Sequence, residues 1–94
     1  MNDLALHHFL PYLNQSFATT CNNKEQLLLL TEAKPLGKPS TSREPFSLLF
    51  LGEMPEPLPQ GAYQLRHAGM GEIVIFLVPI ARQVNGFVYQ AVFN

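Results

Sequence analysis

The chain has 94 residues, 47% of them hydrophobic and only 14% charged, with six basic and seven acidic side chains and a formal net charge of −1. That length fits one domain, and the apolar excess excludes a disordered chain, which would show the reverse balance. The basic residues are scattered singly, which argues against a nucleic-acid footprint or a polybasic patch for anionic lipid.

In chain order, Asp3 is placed to cap a short helix through Leu4, Leu6, His7, Phe9 and Leu10, which Pro11 ends or kinks. Leu6, Phe9, Leu10 and Leu13 recur at three- and four-residue spacing and form one apolar face. A helix this short is marginal by itself, so it is expected to cap or plug a sheet. Residues 16–20 read as the first strand, with Phe17 and Thr19 on one face. Asn22-Asn23-Lys24 is a turn signal, because asparagine tolerates left-handed backbone. The leucine run that follows predicts a strand over 27–33. Residues 34–45 carry Pro35, Gly37, Pro39 and Pro45 with no apolar period, and predict the longest loop, polar and exposed.

Residues 46–51 form the next predicted strand. Pro55, Pro57 and Pro59 make 52–59 an extended connector that cannot join a sheet interior. Three more strands are predicted over 62–67, 72–80 and 87–93. A glycine turn at Ala68-Gly69-Met70-Gly71 separates the first two, and Asn85-Gly86, a strong hairpin signal, separates the last two. About six short strands at regular spacing predict a mainly β chain, a small antiparallel barrel or sandwich with a short N-terminal helix, in one domain over 1–94.

Candidate chemistry is sparse. His7 and His8 are adjacent and His67 precedes a glycine turn, so no familiar spacing of three or four zinc ligands exists. Cys21 lacks a surrounding catalytic signature, and a single cysteine cannot form an intramolecular disulfide. Glu53 and Glu56 fall in a proline-rich connector, where carboxylates are solvated and lack the apolar pocket that acid–base work requires. Gly69-Met70-Gly71 precedes a strand, whereas a dinucleotide fingerprint requires a helix. No enzyme activity, cofactor or metal is expected. The longest apolar run, residues 73–78, is far too short for a membrane-spanning helix, and the N-terminus lacks a secretory pattern. A cytoplasmic setting is the expectation.

The order of these signals resembles an uncharacterised bacterial family of small β-rich proteins. The resemblance is carried by His8-Phe9 and Phe17, the leucine-rich segment 27–32, Phe46-Ser47-Leu48-Leu49-Phe50 and residues 61–67. It continues with Gly71 ahead of Phe76-Leu77-Val78-Pro79 and ends on Tyr89-Gln90-Ala91-Val92-Phe93-Asn94. Members are often encoded beside proteins with phage-tail-collar-type domains, which form fibre-like assemblies. The resemblance therefore implies an accessory or assembly role, and it supplies no catalytic motif.

What remains is an apolar excess on both faces of the strands. Leu48 and Phe50 face one way and Leu49 and Leu51 the other, and residues 73–78 are apolar throughout. A strand buries both faces only between two layers, and large exposed apolar patches are uncommon on monomers. The expected interface comprises Leu49, Leu51, Ile73, Ile75 and Leu77, covered by the helix, by a second copy or by a fibre-type partner. The competing expectation is a barrel that binds a small apolar ligand in a cavity lined by Phe50, Tyr63, Phe76 and Tyr89.

Overall fold

Turn chemistry and alternation fold the apolar runs into antiparallel strands that close on themselves. The computed structural model describes residues 4–37 and 45–93, so Asp3 and residues 38–44 of the predicted loop lie outside the described residues. The elements are α1 (Leu6–Phe9), a 3-10 turn (Leu10–Tyr12), β1 (Ser16–Cys21), β2 (Lys24–Pro35), β3 (Phe46–Gly52), β4 (Gly61–His67), β5 (Gly71–Gln83) and β6 (Gly86–Phe93). They form a closed barrel in the order β1-β2-β3-β6-β5-β4. This confirms the mainly β class with one short N-terminal helix and selects the barrel over the sandwich.

The barrel consists of two three-stranded meanders, β1-β2-β3 and β4-β5-β6, joined by the connector after Gly52. Each has a long middle strand with one extra residue, Thr31 in β2 and Ile80 in β5, where the pairing register shifts. Such bulges bend a strand, letting β2 and β5 each pair with one neighbour along their first half and another along their second. The seam between β1 and β4 is the shortest pairing, recorded at Ala18 and Arg66. Side chains reinforce it: the buried Thr19 hydroxyl donates to the Gln64 carbonyl at 2.9 Å, and Arg66 reaches Thr20 Oγ1 at 3.2 Å.

The turns follow local chemistry, with one shift. Asn22 and Asn23 take φ of 53° and 64°, making the two-residue turn for which asparagine is suited. At the other hairpin the turn is centred on Val84-Asn85, one residue earlier than predicted, and Gly86 opens β6 with φ of 159°. A Cβ on Gly86 would lie 2.2 Å from the Gly52 carbonyl oxygen, so the close approach of these two backbones requires glycine.

The interior is filled by Phe17, Leu28, Leu30, Leu48, Phe50, Leu65, Ile73, Ile75, Leu77, Tyr89 and Ala91, none more than 4% exposed. The helix plugs one end. Its Phe9 is fully buried and packs against Phe46 and Phe93 at ring-centroid distances of 6.0 and 5.9 Å. Leu6 and Leu13 pack on the same core, but Leu10 is 44% exposed. The chain tightens into a 3-10 turn there, which rotates Leu10 off the predicted face.

Candidate interaction surface

Strand parity divides the apolar run of β5 between two environments. Leu65 on β4 pairs with Ile73 and both point inward, while Gln64 pairs with Val74 and both point out. Ile73, Ile75 and Leu77 are therefore core residues, at 4%, 2% and 0% exposure, which corrects their expected place in an interface. The residues that do face out from this strand are Val74, 60% exposed, and Phe76, 53% exposed. Leu49 and Leu51 do face outward, half-buried, as the sequence indicated.

These outward residues form one apolar wall. Phe76 is opposite Ala62 on β4, and Val78 is opposite Gln90 on β6. Val92, half exposed, lies two residues beyond Gln90 and so comes toward the level of Phe76. Leu51 then links Leu29 on one side to Val88 on the other. Strands β3 and β6 contain no charged residue. Gln90 beside Val78 and Ser47 opposite Val92 interrupt the wall, and the charged groups on this side are paired at its margins, Gln64 with Glu72 at 3.0 Å and Glu32 with Lys34 at 3.2 Å.

The N-terminal segment does not cover this wall, because it is committed to the barrel end. Beyond the Phe9 plug, Tyr12 packs on His67 at 4.6 Å, and His67 also packs on Phe17 at 4.7 Å. The Gly69 N–H donates to His67 Nδ1 at 2.9 Å, so Nε2 carries the proton and donates to Gln15 Oε1 at 2.7 Å. At the opposite end the connector is fixed by two tyrosines. The Leu58 N–H donates to the Tyr89 phenol at 2.7 Å, and the Tyr63 hydroxyl donates to the Pro59 carbonyl. Burial pushes both phenols above their ordinary pKa of 10, and for Tyr89 the Leu58 N–H partly offsets that shift.

The profile of one protein family, a domain of unknown function, matches residues 4–93, nearly the entire chain. The chain belongs to the DUF6916 family. No curated protein and no solved structure matches it.

In this DUF6916 barrel the other sequence candidates do not converge. Cys21 ends β1 at the connector end of the barrel, whereas His7, His8 and His67 lie on the helix and at the helix-plugged end of β4. Among the described residues no group of three or more His, Cys, Asp or Glu is placed to hold a metal ion, and no helix is long and apolar enough to cross a membrane. Glu53 and Glu56 are exposed on the connector, as expected. The proposed ligand cavity loses its lining: Phe50 and Tyr89 are inside, Tyr63 sits at the rim and Phe76 faces outward. Two open grooves lie at the connector end. One, of about 360 Å³, is lined by Ser16, Gln26, Leu27, Leu29, Leu51, Glu53 and Met54. The other, of about 290 Å³, runs between Glu53-Met54-Pro55 and the β5–β6 hairpin.

The sequence did contain the signal that places Val74 and Phe76 outside. The turn at 68–70 fixes the pairing of His67 with Gly71, and counting back puts polar Gln64 opposite Val74. Because Gln64 belongs in water, Val74 must share its face.

Proposed function

We propose that this protein is a non-enzymatic binding module that docks another protein chain against the outer wall of β5 and β6. The observation that carries the reading is the exposure of Val74 and Phe76 beside Val78 and Val92, uncovered by the helix and with the charge of Glu72 at the edge, paired with Gln64. Exposed contiguous apolar side chains rimmed by polar ones mark interaction surfaces. Phe76 is the natural anchor, since aromatic residues dominate interface energetics. The partner the family resemblance suggests is a fibre-forming protein of the phage-tail-collar type, for which this chain would act as an assembly accessory.

The test is a titration of the purified chain against such a collar-type protein by biolayer interferometry, with Phe76→Asp and Val74→Asp beside the unaltered chain. The reading predicts binding that each substitution weakens at least about tenfold, the equivalent of about 1.4 kcal/mol, while the melting curve is kept. Binding that both variants retain in full would refute the placement of the interface on this wall.

A further inference from the structure

We propose that two copies of this chain pair reciprocally at the connector end, the Val84 tip of each β5–β6 hairpin seating in the groove of the other. Val84 is 106% exposed, and residues 80–85 are exposed without interruption. Val84 is not among the described residues that pack on the core, so its side chain contributes nothing to the barrel interior. On its own chain the valine is a knob that only edges the cleft facing Glu53, Met54 and Pro55, and it stays fully exposed.

The socket is the groove of about 360 Å³ between β2, β3 and the connector. Leu27, Leu29, Leu51 and Met54 give it apolar walls, and Leu27 is 58% exposed. Glu53 stands at its rim, where among the described residues its carboxylate accepts a neutral hydrogen bond, from Asn85 Nδ2 at 3.3 Å, and makes no salt bridge. Arg82 lies two residues before the knob and makes no salt bridge among the described residues. Knob and groove thus each carry an apolar centre with a charge beside it, positive on the hairpin and negative at the groove.

This complementarity selects a second copy as the occupant. Glu53 and Met54 line both the groove and the neighbouring cleft that contains Val84, so the two features share one end of the molecule. A two-fold rotation then sets each hairpin over the other copy's groove, the isologous arrangement in which each contact is made twice. Arg82 of each copy approaches Glu53 of the other. The contact leaves Val74 and Phe76 free, so it stands or falls separately from the docking wall.

Sedimentation equilibrium on the full chain tests this with Arg82→Glu, Glu53→Arg, an equimolar mixture of the two, and Val84→Asp, folding being checked by far-ultraviolet circular dichroism. The unaltered chain is expected to dimerise. Each charge reversal places like charges together and raises the dimer dissociation constant at least about tenfold. The mixture restores both ion pairs and returns the dimer, while Val84→Asp is monomeric. A monomeric unaltered chain, a dimer that survives the single reversals, or a mixture that stays dissociated would each overturn the proposal.

Discussion

Substituting threonine at two consecutive positions of β5 separates the inside of the barrel from its wall. Ile75 is 2% exposed and Val74 is 60% exposed, although nothing in their chemistry distinguishes them. Ile75→Thr deletes the buried δ-methyl, about 0.8 kcal/mol, and replaces a buried methylene by a hydroxyl, which unpaired in an apolar core costs about 1–3 kcal/mol. The sum is about 2–4 kcal/mol, out of about 5–14 kcal/mol for a domain of 94 residues. At roughly 4–8 °C per kcal/mol, the melting temperature should fall by about 8–32 °C. Val74→Thr exchanges a methyl for a hydroxyl where water already reaches most of the side chain. Only about 0.3 kcal/mol is at stake there, a shift of about 1–2 °C. Differential scanning calorimetry of the two variants measures both numbers. Equal losses, or a larger loss at Val74, would refute the assignment of the two faces.

Three further outcomes follow from the ends of the barrel. Phe9→Ala empties the plug between Phe46 and Phe93 and should cost about 3–5 kcal/mol in urea denaturation, a substantial share of the total. Gly86→Ala forces a Cβ against the Gly52 carbonyl and should destabilise by more than about 1 kcal/mol, whereas Gly61→Ala, with nothing within 4 Å of the added carbon, should stay within about 0.5 kcal/mol of the unaltered chain. Tyr89→Phe leaves the Leu58 N–H without its acceptor and should cost about 1–3 kcal/mol. The same substitution changes the alkaline limit of stability. A phenol whose pKa is raised on folding contributes stability that is full below its unfolded value of 10 and is lost as the pH rises through the folded value. Unfolding free energies measured across that range should therefore fall less steeply in Tyr89→Phe, with Tyr63 supplying the slope that remains.

The barrel was largely legible because its turns are written in the local chemistry. Asn22-Asn23 and the glycine turn before Gly71 delimit hairpins whatever the rest of the chain does. The ends of β2 and β5 were not legible, since a strand continues through Lys34 or Arg82 when a bulge bends it toward a second partner. The inward or outward setting of residues 73–78 was obscured by composition: with every position apolar, hydropathy has no period to read. Only the register with β4, where Gln64 meets Val74, resolves it. The destination of the helix was beyond local pattern as well. Phe9 seats between Phe46 and Phe93, residues 37 and 84 positions away, and that meeting depends on closure of the barrel.

The central claim is that β5 and β6 leave an apolar wall for a partner chain. Isothermal titration calorimetry at several temperatures, with a fibre-forming collar-type protein in the cell, measures this most directly. Docking on Val74, Phe76, Val78 and Val92 predicts a negative heat-capacity change, the mark of apolar burial, that shrinks or vanishes with Phe76→Asp. Binding with no heat-capacity change, or one that Phe76→Asp leaves intact, would contradict the account.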